Sequence, residues 1–356
     1  MSLPYLQPYF GLSNSLQTAQ AGGAVASGGW VELARTTTGS ALSDFDVSSL
    51  ADKRYYMVLT NIKGKNNSGV NWQTRMGNST IDTGSNYAIR YNLNGGTDST
   101  GGSTSSIQSG TNPTDKPQFS VAYISNLSGK EKLYMSHDVN QQTAGAGNAP
   151  KRGEYVGKWV NTSNPLDTIG ATTGSGSYTM SSGSEMVVLG WDPADTHTTN
   201  FWEELASVEL GAPSSTLDSG TFTAKKYLWI QAYINATTVD TGLTFNGDTG
   251  TNYAKRWSDN GAADGTAVSG NNIQVDRGNS TQFLNIFIVN NSANEKLGMY
   301  HTGTQQTAGA GNAPARRELV FKWANTSAQI TSMIFTKKGG GTDLQTGSIV
   351  KVWGSD

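Results

Sequence analysis

The chain repeats itself. Glu131-Lys132-Leu133 recurs as Glu295-Lys296-Leu297, and QQTAGAGNAP stands identically at 141–150 and 305–314. Arg152, Glu154, Val156, Lys158, Trp159 and Asn161-Thr162-Ser163 return as Arg316, Glu318, Val320, Lys322, Trp323 and Asn325-Thr326-Ser327. Earlier, Trp30, Glu32 and Leu33 match Trp202, Glu204 and Leu205; Lys53 and Tyr55 match Lys225 and Tyr227. Gly84, Asn86-Tyr87-Ala88 and Arg90 match Gly250, Asn252-Tyr253-Ala254 and Arg256, and the ends match as SGSEMVVLG and TGSIVKVWG. The spacing drifts from about 172 to about 164 residues, which places insertions and deletions in loops. A period this long is a whole domain and not a solenoid repeat. The organisation expected is an arm and linker over 1–28, a first domain over 29–194 and its duplicate over 195–356, divided within the turn-rich DPADTHTTN.

Each copy reads as strands. Tyr55 to Thr60, Phe119 to Ile124 and Phe283 to Val289 are rich in aromatic and branched residues. Lys132 to His137 and Glu154 to Val160 alternate in polarity, Ile330 to Phe335 is another strand, and Glu185 to Leu189 and Ile349 to Trp353 read as last strands. Gly, Asn, Asp, Ser and Thr turns separate them, and no helical pattern exceeds about two turns. With 43 Gly, hydrophobic residues at 35% and charged residues at 15%, the chain is poor in ordinary core material, but 9 Trp, 14 Tyr and 10 Phe supply it. The fold class expected is all-β: two tandem antiparallel β-sandwiches, jelly-roll-like, with seven or eight strands each. An up-and-down barrel is the alternative.

Composition excludes several functions. Without cysteine there is no disulfide scaffold, thiol nucleophile or thiolate metal site. A net charge of −2 gives no footprint for nucleic acid. No apolar run approaches the ~20 residues of a membrane helix. Before Arg35 there is no Lys or Arg, and Pro4 and Pro8 interrupt the one apolar stretch, so no secretory signal is expected. That stretch carries Leu3, Tyr5, Leu6, Tyr9 and Phe10. It reads as an arm that docks on a neighbouring subunit, or otherwise as a tail.

Candidate chemistry is thin. Gly145-Ala146-Gly147 lacks the following helix and Lys-Ser/Thr of a phosphate loop, and reads as a turn whose glycines take positive φ. His137 and His301 occupy equivalent strand positions and His197 lies between the copies. None has a carboxylate cluster at ligand spacing, so no metal site is expected. Asn94 to Asp98 and Asn260 to Asp264 could lend oxygens to calcium but fit turns equally well and lack the full EF-hand order. Glu32, Glu131 and Glu154, with counterparts Glu204, Glu295 and Glu318, read as ion-pair partners, Arg152 with Glu154 and Glu131 with Lys132. Trp159 and Trp323 read as core residues rather than sugar platforms. No nucleophile elbow occurs. The chain is expected to be no enzyme, without catalytic residue, cofactor or metal.

The runs WVELARTTTGS, VSSLADKRYYMVLTN, GSNYAIRYNLNGGTD, QQTAGAGNAPKRGEYVGKWVNTS and SGSEMVVLG resemble structural proteins of tailed bacteriophages. Those proteins carry the unit once; here it covers about 28–192 and 200–356, and FWEELASVELG departs from the pattern at the second opening. The resemblance implies a virion component made in the host cytoplasm, either a capsid decoration or a tail or fibre part. Its partners would be other virion proteins and copies of itself, with no nucleic acid and no membrane. The positions expected to make contacts are the arm residues named above and the repeated loop: Gln141, Gln142, Asn148 and Arg152, with Gln305, Gln306, Asn312 and Arg316. A carbohydrate-binding sandwich that recognises a surface glycan is the alternative.

Overall fold

The computed structural model describes residues 29–356 except 68, 70, 111–114, 196, 198, 236–239, 276–280 and 341. The arm expected over 1–28, with Leu3, Tyr5, Leu6, Tyr9 and Phe10, lies outside the described residues.

The first unit's larger sheet runs, in spatial order, β1 (Val31–Thr37), β13 (Glu185–Trp191), β3 (Tyr55–Ile62), β9 (Gln118–Ser125), β10 (Lys132–Asn140), β11 (Lys151–Trp159), β6 (Tyr87–Leu93) and β7 (Ser99–Thr104). Its smaller sheet runs β2 (Asp44–Val47), β12 (Thr168–Thr172), β4 (Gln73–Asn78) and β5 (Thr80–Ile81), with β8 (Ile107–Gln108) also on β4. The second unit repeats the order. Its larger sheet is β14 (Glu203–Glu209), β25 (Ile349–Ser355), β16 (Tyr227–Ile234), β21 (Gln282–Val289), β22 (Lys296–Thr304), β23 (Ala315–Trp323), β18 (Tyr253–Asp259) and β19 (Gly265–Gly270). Its smaller sheet is β15 (Thr216–Asp218), β24 (Met333–Lys338), β17 (Asp240–Phe245) and β20 (Ile273–Gln274).

All these pairings are antiparallel, and the chain passes back and forth between the two sheets of each unit. The protein is therefore all-β over the described residues, two tandem antiparallel sandwiches. Short strands raise the count above the seven or eight expected, to thirteen in the first unit and twelve in the second among the described residues. Four of them, β5, β8, β15 and β20, are only two or three residues long, too short to show a period.

Duplication reaches the details. Both opening strands carry a bulge at the same place, Glu32/Ala34 and Glu204/Ala206. Trp159 donates its indole N–H to Asp82 at 2.8 Å, and Trp323 donates to Asp248 at 2.7 Å. Asn126 accepts from the Leu166 N–H at 2.8 Å, as Asn290 does from Ile330 at 2.7 Å.

Strand alternation makes three cores from two sandwiches. On β10, Tyr134 points between the sheets of the first unit, while Val139, an odd number of positions away, points out of the sandwich. On β23, Leu319, Phe321 and Trp323 point inward, and Val320 points outward. The outward faces of the two larger sheets meet and share a third apolar core. It includes Met57, Leu59, Phe119 and Val139 from the first unit and Trp229, Phe287, Met299 and Val320 from the second. The order of layers is small sheet, large sheet, large sheet, small sheet.

Candidate functional site at the seam between the units

The seam is tied by polar contacts that come from different ends of the two units. In the first unit the loop after β10 crosses to the second. Gly145 N–H donates to Glu295, and Lys322 Nζ donates to the carbonyls of Gln141 at 3.3 Å and of Thr143. Ser269 N–H donates to Ala146 O at 2.7 Å, and Arg256 Nε donates to Pro150 O at 2.9 Å. Arg152, deep in the seam, bridges Glu154 and Asp264, each at 2.7 Å. On another edge Glu185 accepts from Tyr227 and pairs with Lys226, both at 2.7 Å, and Phe119 stacks on Tyr227. Gly145 adopts φ +86, and its counterpart Gly309 adopts φ +99, a region open to glycine, so the repeated loop keeps one shape in both copies.

These contacts are one-sided. Leu297, Met299 and Val320 of the second unit are 1%, 2% and 0% exposed, covered by the first. Their first-unit counterparts Leu133, Met135 and Val156 are 57%, 47% and 51% exposed. The reverse holds for the opposing face: Phe119 is 1% exposed and its counterpart Phe283 is 48%. The loop 141–150 is docked, whereas 305–314 is exposed along its whole length. One face of the first unit is thus covered by a different face of the second, a heterologous contact in the sense used for oligomers. The uncovered first-unit face lines a concave area of about 920 Å³ with Trp30, Tyr55, Tyr123 and Trp191 at one end.

His137 and His301 meet where β10 and β22 cross. Their ring centroids are 4.7 Å apart. Each lies opposite a glutamate on the neighbouring strand, His137 beside Glu154 and His301 beside Glu318. They face a cleft of about 720 Å³ where the two large sheets diverge. Burial, then His301 and Arg152, hold the His137 imidazole well below the usual histidine range. Desolvation in the cleft, with Arg152 and Arg316, also lowers His301 against the opposing pull of Glu154. Burial and the neighbouring Glu154 carboxylate raise Glu318, although its partner Arg316 opposes this.

The expected contact residues divide. Gln141 and Arg152 are in the seam, Gln142 takes a positive φ of 63° at the loop's entry, and Asn148 is exposed. Gln305, Gln306, Asn312 and Arg316 are all exposed. In the first copy, then, the loop's partner is the other half of the same chain. The predicted pairing of Arg152 with Glu154 is present. That of Glu131 with Lys132 is not: Glu131 pairs with Lys158 at 2.8 Å, while Lys132 is buried and donates to the Leu127 and Lys130 carbonyls. Successive residues on a strand face opposite ways, which is why the neighbour in sequence is the wrong partner. Asp264, read as part of a turn, is the buried acceptor for Arg152. Trp159 and Trp323 are core residues, each 1% exposed. Sequence spacing missed the two His–Glu pairs because their members meet across strands and across the duplication.

No protein-family model and no curated protein sequence matches the chain. Among solved structures, mouse laminin alpha1 chain domains LG4-5 align over 98% of this chain and 93% of that one, at 12% identity and a TM-score of 0.20. The STIV MCP aligns over 92% and 95%, at 10% identity and a TM-score of 0.17. Scores this low place the chain in neither group.

Proposed function

We propose that the chain is a non-enzymatic structural protein of a tailed-phage particle, a capsid decoration or a tail or fibre part, and that it assembles by repeating its own internal seam between molecules. The observation that carries the reading is the uncovered apolar face of Leu133, Met135 and Val156, whose duplicate is covered within the chain. A contiguous exposed apolar surface marks an interaction site, and the chain itself supplies the complementary face. By the same correspondence, Phe283 of one molecule packs on Tyr55 of the next. The Gly309 N–H reaches Glu131, Arg316 reaches Asp98, and Lys158 meets the carbonyls of Gln305 and Thr307. Heterologous contacts of this kind build rings when they close and filaments when they do not. The sequence resemblance supplies the phage context.

The test is mass in solution by light scattering across concentration, on the full chain and on Leu133→Asp and Phe283→Asp. The full chain grows with concentration, and each variant is a monomer. Mixed, the two variants form a one-to-one dimer and nothing larger, because one intact contact remains between them. Monomers at every concentration overturn self-assembly. Removing residues 1–28 separates a role of the arm from that of the face. A glycan that binds beside Tyr55 and Trp191 while the chain stays monomeric favours the carbohydrate reading. Immunolabelling of purified virions tests membership of the particle.

A further inference from the structure

We infer that the seam takes a divalent transition-metal ion of the zinc class, held by the imidazoles of His137 and His301 and the carboxylate of Glu154. One ligand atom from each of the three lies within 4.8 Å of the others. Ligand atoms around tetrahedral zinc stand about 3.3 Å apart, given bonds of about 2.0–2.1 Å. Reaching that spacing from 4.8 Å closes gaps of up to about 1.5 Å. His137 is 7% exposed, and neither of its ring nitrogens has a hydrogen-bond partner in the protein. A buried polar group without a partner is destabilising and calls for an explanation, and an ion supplies one. His301 opens to the cleft, which gives the ion an entry path and leaves a fourth position for water.

Arg152 and Arg316 stand near the site, and the carboxylates of Glu154, Asp264 and Glu318 pair with them. Glu154 is held by Arg152 Nη1, and if it turns to a metal Arg152 keeps Asp264 as a carboxylate partner through Nη2 at 2.7 Å. Mixed imidazole and carboxylate donors suit zinc better than calcium or magnesium, which favour oxygen alone. The ion would join the two halves of the molecule where the equivalent residues His137 and His301 meet.

The experiment uses the untagged full chain, stripped with chelator and titrated with zinc by calorimetry and with cobalt(II) by visible absorption. One ion binds per chain, cobalt gives the bands of a tetrahedral site, and zinc raises the melting temperature. His301→Ala, at an open position, keeps the circular dichroism of the parent and weakens zinc binding at least about tenfold; His137→Ala and Glu154→Gln also weaken it, and His197→Ala leaves it unchanged. Absence of heat and of cobalt bands at micromolar metal overturns the inference, as does binding that survives His301→Ala.

Discussion

Trp159 and Trp323 show how a single side chain can need a polar partner inside an apolar layer. Each indole body fills a sandwich core, and its N–H is satisfied by Asp82 or Asp248. Replacing Asp82 with Ala strands that donor and should lower stability by about 1–3 kcal/mol in urea unfolding. Burial raises the Asp82 carboxyl, but hydrogen bonds from Trp159, Asn86 and the Gly84 N–H outweigh it and hold the carboxyl below its ordinary range; Asp248 is held likewise. A carboxylate with a depressed folded pKa stabilises the fold above its unfolded value of about 3.9 and loses that contribution as pH falls below it. The Asp82→Asn, Asp248→Asn double variant should therefore show a flatter acid limb of stability against pH than the parent. The tryptophans as core were legible in the sequence from their type and strand setting. Their aspartates were not, since Asp82 lies 77 residues from Trp159.

Among the elements, β11 and β23 are a natural control for one another. Both place a valine outward at the same position, Val156 exposed and Val320 covered. Val320→Ala removes packed methyl groups from the shared core and should cost about 1–3 kcal/mol. Val156→Ala in the dilute monomer should stay within about 0.5 kcal/mol. Chemical denaturation of the two variants checks the contrast. The strongest strands, β3, β9, β10 and β13, were legible because their apolar residues run or alternate. Ser99–Thr104 and Gly265–Gly270 were not. Their small polar residues read as turns, yet they pair as β7 and β19 at the sheet edge. The duplication was plain, but the one-sided seam was hidden because identical loops suggest identical use. Only scattered differences betray it: Val139 against Gly303, Asn61 against Tyr233 and Glu185 against Ile349.

At the scale of the molecule, the shared third core couples the units, so the chain should unfold in one cooperative transition rather than two. Two lysines report on that coupling. Lys63 of the first unit donates to Asn294 of the second at 3.0 Å. Burial lowers it to about 8, with Lys226 adding to the effect and Glu185 opposing it. Lys296 is lowered to about 8 by burial, against Glu295 and with Lys63. Unfolded lysines bind protons up to about 10.4, so between about 8 and 10 the unfolded chain holds more protons and stability should rise with pH. The trend should reverse above about 10, where phenols ionise in the unfolded chain while Tyr56, raised to about 12 by burial, stays protonated in the fold. Thermal melts from pH 7 to 11 follow both limbs. Fusion of two sandwiches in one chain also fixes a parity. Any closed ring built from this protein contains twice as many sandwiches as polypeptides, so a trimer would present six near-identical lobes. An image that cannot tell the copies apart would show sixfold order where the true symmetry is three.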